Sequence, residues 1–157
     1  MFFDIPIQEM PEEPITHLER CTAVSAAADE KGVPRDYLNL LVVSEGGKKG
    51  TAKQNTNKSW DLGPAQINTI HAEFIEENYP GKTWQDVAYD HELNIQISAD
   101  VFKRCLQHKK VGSNVWEAIG CYNSMTVKHR TNYLLRTMKV WDSIQKSPSR
   151  SCRKYWG

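Results

Sequence analysis

Glu45 continues an apolar helical face. It lies four residues after Leu41 and three after Val42, so all three share one side of a helix. A carboxyl on such a face points toward a core or a cleft. Desolvation there favours the neutral acid and raises its pKa. A carboxylic acid still protonated near neutral pH is suited to general acid catalysis. Gly46-Gly47 follow at once and leave room for a ligand to approach. Sixteen residues on, Asp61 opens the run Asp61-Leu62-Gly63-Pro64-Ala65-Gln66-Ile67-Asn68. It supplies a second carboxylate, readable as an electrostatic partner of Glu45 or as a turn residue bonding nearby amides. Gln66 and Asn68 are cleft-lining hydrogen-bond groups or turn stabilisers. Tyr122 follows Val115, Ala118 and Ile119 on one helical face, as a site hydroxyl or a core tyrosine with its hydroxyl satisfied. Asn123 is the polar residue beside it.

These residues need elements to hold them. Thr16-His17-Leu18-Glu19 has the form of a capping box. Leu18, Cys21, Val24 and Ala28 then follow at helical spacing until Gly32. Pro34 suits the first turn of a second helix, which Gly46-Gly47 end. Residues 46–60 hold four lysines and no acid and read as a loop, with a short hairpin within 51–62. Further helices are expected over 65–78, 90–108, 114–124 and 129–145. The fold class is therefore mainly α, a helical domain with a small loop or β-hairpin beside a cleft.

The blocks also form a recognisable order. The segment Asp61-x-Gly63-x-x-Gln66-Ile67-Asn68, one loop after a helix ending in Glu45, resembles the core of the lysozyme-like superfamily. Trp116-Glu117-Ala118 and Tyr122-Asn123-Ser124 resemble the W-x-A-x-x-x-Y-N-[AS] helix of lytic transglycosylases. Leu93-Asn94-Ile95 resembles the opening of the helix before it. The likeness covers roughly residues 18–141 and is nearest to the small enzymes of secretion, conjugation and pilus systems. It implies an α+β lysozyme-like fold and cleavage of the β-1,4 bond between N-acetylmuramic acid and N-acetylglucosamine. Glu45 would then be general acid and base. Asp61 would stabilise positive charge or, in a hydrolytic muramidase, serve as the second carboxylate. Gln66, Asn68 and Asn123 would contact sugar, and Tyr122 would orient Glu45.

The chain departs from that pattern in two places. Gly46 stands where the family has Ser, and Pro64-Ala65 replace Leu-Met. Neither change removes a proton-transfer group, so altered substrate fit is the expectation, with a non-catalytic wall-binding module as the alternative. The implied partners are peptidoglycan glycan strands and components of a secretion, conjugation or pilus apparatus. The implied place is the periplasm or cell envelope. No cofactor is called for.

Composition narrows the classes. The chain has 157 residues, 39% hydrophobic and 25% charged, which fits one folded domain and excludes whole-chain disorder. The net charge of +1 makes no case for nucleic acid. No apolar stretch nears the ~18 residues of a membrane span. The start, Met1-Phe2-Phe3-Asp4, lacks the form of a signal peptide. Without C-x-x-C, H-E-x-x-H or paired Cys/His spacing, no metal site is expected. Cys21, Cys105, Cys121 and Cys152 allow two disulfides in three pairings, or simply small buried residues.

The net charge hides a gradient. Residues 1–30 carry seven acids against one base, net −6, and residues 128–157 eight bases against one acid, net +7. We divide the chain into an extended acidic arm (1–14), a catalytic domain (15–145) and a basic tail (146–157), the ends being docking or localisation segments. Trp60 and Trp84 are sugar-stacking candidates or core residues, and Lys48, Lys49, Lys53 and Lys58 candidates for meeting the carboxylates of peptide stems.

Overall fold

The computed structural model describes residues 4–6, 10–112, 114–124 and 126–156. Helix α1 (His17–Lys31) starts at the expected capping box. The Thr16 hydroxyl accepts from the Glu19 amide at 3.1 Å, and the Glu19 carboxylate accepts from the Thr16 amide at 2.9 Å. Gly32 ends the helix in the left-handed conformation, φ 72°, which costs glycine no steric clash. Helix α2 (Arg35–Glu45) follows Pro34, which sits just outside the first turn as the cap residue.

Strands β1 (Ala52–Gln54) and β2 (Trp60–Leu62) make the expected hairpin. A third strand, β3 (Ile67–Asn68), pairs antiparallel with β2, placing Asp61 opposite Asn68. This corrects the helix expected over 65–78. Gln66 has φ 52°, which no right-handed helix accommodates, and the two residues after it join the sheet. A 3-10 turn (Thr69–His71) follows, its start capped by the Asn68 side chain accepting from Ile70 N. Helix α3 (Ala72–Asn78) begins only then.

Helix α4 (Trp84–Tyr89) was not foreseen, although Thr83 and Asp86 form a second capping box. It buries Trp84, which is therefore a core residue and not a sugar platform. Helix α5 (His91–Leu106) is apolar over most of its circumference, with Leu93, Ile95, Ile97, Ala99, Val101 and Phe102 all buried. A helix of that kind belongs in the middle of a fold. It packs against α1, α2, α4 and also α6 (Val115–Asn123). Helix α7 (Val127–Lys146) closes over α2 and α6. Fully buried Leu38, Leu40 and Leu41 of α2 meet Ile95 and Phe102 in the shared core.

Two disulfides fasten this arrangement. Cys105–Cys121 joins α5 to α6, and Cys21–Cys152 joins α1 to the C-terminal segment. That segment carries helix α8 (Arg153–Trp156). It is held against α1 by Trp156 Nε1 donating to Cys21 O and by Arg20 donating to the Ser149 and Arg150 carbonyls. The basic end thus packs on its own domain through residue 156. Of the acidic arm, residues 1–3 and 7–9 lie outside the described residues. Glu13 pairs with Lys49 in both directions, N to O at 2.9 Å, and Tyr89 Oη donates to Pro11 O.

Candidate active site

Glu45 is the last residue of α2, and the backbone turns away immediately behind it. Gly46 caps the helix at φ 65°, a conformation in which the serine of the resembled family would be strained. Gly47 donates its amide to Pro64 O at 3.0 Å. A Cβ on Gly47 would collide with Gly63 O and lie 2.7 Å from Gln66 Nε2. The two glycines therefore let the end of α2 lie directly against the 63–66 turn.

The Glu45 side chain is only 14% exposed. Its Oε2 accepts from Tyr133 Oη at 2.9 Å and lies 3.7 Å from Arg136 Nη2. Burial pushes its pKa up to about 7, helped by the negative charge of Asp61 and opposed by the Tyr133 hydrogen bond and the Arg136 charge. Tyr122, the expected orienting residue, lines the same cleft as Glu45 but spends its hydroxyl on other partners. Its hydroxyl shares a hydrogen bond with Ser98 Oγ at 2.8 Å and donates to Ala65 O at 3.4 Å. Burial, then the Glu45 charge, raise both phenols above their ordinary pKa, so both remain hydrogen-bond donors.

Asp61 sits in the middle of β2 and is held from both sides. Asn55 Nδ2 donates to its Oδ2 at 3.1 Å, and Asn68 Nδ2 donates to its Oδ1 at 2.9 Å. The second bond spans the β2–β3 pair, where cross-strand neighbours on one face meet. Asn68 thus serves Asp61 and the 3-10 turn together. Gln66 donates to Gly63 O at 2.8 Å and so braces its own turn.

The turn is also held from below by Asn94 of α5, fully buried. Asn94 Nδ2 donates to Leu62 O and Val87 O, and its Oδ1 accepts from Ala65 N, all within 2.9 Å. A buried amide with every group paired rigidifies its surroundings.

These groups open on one cleft of about 360 Å³. Glu45, Asp61, Gln66, Asn68, Tyr122 and Asn123 all line it. So do Asn55, Asn57 and His71, which sequence reasoning missed. Tyr133 and Arg136 were missed as well. The only signal for them was a polar pair three residues apart on a helix otherwise read as packing. Lys49 proves to be committed elsewhere, paired with Glu19 at 2.9 Å. His17, Cys21 and Cys152 bring metal-type ligand atoms within 4.8 Å of one another, but both sulfurs are spent on a disulfide.

Chemically, the cleft offers a shielded carboxyl that exchanges its proton near neutral pH, a second carboxyl held by two amides, and a wall of amides. An acid that can release and retake a proton near pH 7 suits cleavage of an acetal bond. The amides suit a ligand rich in hydroxyl and acylamino groups. The Transglycosylase SLT domain family matches residues 22–139. The chain is 27% identical over 100 residues to "Invasion protein IagB" of Salmonella typhimurium and of Salmonella typhi. The match covers 63% of this chain and spans 59% of the length of those relatives.

Proposed function

This chain belongs to the Transglycosylase SLT domain family, and from that premise we propose that it is a peptidoglycan lytic transglycosylase. The observation that carries the reading is Glu45, a shielded carboxyl held near pKa 7 on a polar cleft. Glu45 donates its proton to the glycosidic oxygen between N-acetylmuramic acid and N-acetylglucosamine. The bond from that oxygen to the muramic C1 breaks, and positive charge develops on the sugar ring. Asp61 stabilises that charge. Each of its oxygens accepts from an amide, which suits a fixed anion better than a nucleophile free to swing onto carbon. The muramic 6-hydroxyl then bonds to C1 while Glu45 takes its proton. The product is a 1,6-anhydro sugar, no water is consumed, and the acid is regenerated.

Gln66, Asn68, Tyr122 and Asn123 serve as substrate contacts or hold those contacts in place, within a catalytic unit spanning 15–145. The two disulfides favour an oxidising compartment such as the periplasm. Likeness to a protein named for invasion supports a role in opening the wall locally for an envelope-spanning apparatus.

Mass spectrometry of sacculi digested by the pure protein tests the reaction. Anhydro-muropeptides are expected. Products with reducing ends alone would replace the transglycosylase reading with a hydrolytic one.

A further inference from the structure

Helix α7 has one side that neither the core nor the proton chemistry uses. Its buried residues Tyr133, Thr137 and Ile144 mark the inner side. Val127, Leu135 and Met138 fall together on the outer side, where they are 67%, 57% and 43% exposed. Apolar residues exposed singly are ordinary. Three on one side of one helix form an apolar strip that packing inside the domain does not account for.

A row of cations runs beside that strip. Lys128, Lys139 and Lys146 are spaced by eleven and seven residues, close to whole numbers of helical turns, and all three are exposed. Asp142, which pairs with Lys146 at 2.9 Å, is the one acid in residues 128–157. The row continues past the helix end. Lys146 lines a hollow of about 280 Å³ with Arg153 and Lys154, and Arg153 Nη2 donates to Gln145 Oε1 at 3.1 Å. The Cys21–Cys152 disulfide fixes that segment on the domain, so these charges are preset on one surface.

We propose that the outer side of α7 is a docking surface for an anionic phospholipid bilayer. The lysine row meets the headgroups, and Val127, Leu135 and Met138 enter the boundary with the acyl chains. Anionic headgroups attract each nearby lysine and demand no shape match. A lysine stem can lie along apolar surface while its ammonium meets phosphate. A second copy of this chain does not fit, because pairing through this side sets lysine against lysine. A stable protein interface covers about 800 Å² on each partner around an apolar core, which three side chains strung along a convex helix do not supply. Tyr133, which holds Glu45, lies on the inner side of α7, so docking leaves the catalytic carboxyl away from lipid. The inference is independent of the reaction assigned to Glu45.

The test is sedimentation of the full chain with vesicles of phosphatidylglycerol mixed equally with phosphatidylcholine, against vesicles of phosphatidylcholine alone. The wild type should bind the mixed vesicles at low salt, leave them at high salt and ignore the neutral ones. Lys128→Gln with Lys139→Gln and Lys146→Gln should weaken binding by about a hundredfold. Leu135→Ser with Met138→Ser should weaken it by about tenfold. Asp142→Asn, which removes the acid of that side, should strengthen it by about threefold. The substituted side chains are all exposed, and circular dichroism checks that each variant is folded. Equal binding to neutral vesicles, no binding to either kind, or binding that all three sets of substitutions leave unchanged overturns the proposal. Poly-L-glutamate bound as tightly as the mixed vesicles, and weakened alike by the Leu135 and Met138 substitutions, would assign this side to an acidic protein and overturn the lipid.

Discussion

Tyr133 donates its hydroxyl to Glu45 Oε2 at 2.9 Å across 88 residues of sequence. Arg136, one turn further along α7, adds its charge 3.7 Å from the same oxygen. Both favour the ionised carboxylate, against burial, which favours the acid. The last long helix of the domain thus moderates the carboxyl at the end of the second. Removing the hydrogen bond in Tyr133→Phe should raise the Glu45 pKa further and move the basic limb of the pH–rate profile upward. The looser carboxyl should also lower kcat by about ten- to a hundredfold. Arg136→Gln should move the same limb in the same direction with a smaller loss of rate. Initial rates on sacculi between pH 5 and 9 check both.

The raised pKa of Glu45 also enters stability. Its folded value of about 7 lies above the ordinary 4.5, so the folded chain binds more protons than the unfolded chain between those values. The associated stability is fully present below pH 4.5 and is lost as pH rises through 7. The span corresponds to about 3 kcal/mol. Glu45→Gln carries no such charge. Urea denaturation should find it close to wild type at pH 4 and more stable, by up to about 3 kcal/mol, at pH 8. Parallel stability curves for the two proteins would show that Glu45 is not desolvated.

Asn94 should be the most sensitive buried polar residue near the site. Asn94→Ala leaves Leu62 O, Val87 O and Ala65 N without their partner. Loss of stability by about 2–4 kcal/mol is expected, with a fall in activity because the 63–66 turn carries Gln66. Urea midpoints and sacculus assays at 25 °C measure both.

The helical frame was legible because its signals are local. The Thr16–Glu19 box, Gly32, Pro34 and Gly46 each act within a few residues, and α1 and α2 begin and end at or next to them. The region after Asp61 was not. The left-handed backbone of Gln66 and the pairing of Ile67 with Leu62 depend on β2 and on Asn94 beneath the turn. Apolar spacing alone therefore ran a helix through them. The candidate site was legible as residue types, since Glu45, Asp61, Gln66, Asn68, Tyr122 and Asn123 share one cleft. Their partners were not, because Tyr133 reaches Glu45, and Ser98 reaches Tyr122, only once α5, α6 and α7 have packed.

The cysteine pairing could not be read from sequence either, since four cysteines leave three choices. Cys21–Cys152 closes a loop with a sequence separation of 131 and holds the C-terminal segment on α1. Cys21→Ser with Cys152→Ser should lower stability by about 3–5 kcal/mol. It should leave the cleft geometry unchanged, because none of the cleft-lining residues belongs to α1 or α8. Chemical denaturation, together with binding of a β-1,4-linked N-acetylglucosamine hexamer at a temperature where the variant is folded, separates the two effects.

The role of Glu45 is tested most directly by the rate at which Glu45→Gln solubilises purified sacculi, compared with wild type at equal folded concentration. Loss of at least about a hundredfold is expected if Glu45 is the proton donor and acceptor. A Glu45→Gln protein that releases anhydro-muropeptides at the wild-type rate would contradict the assignment.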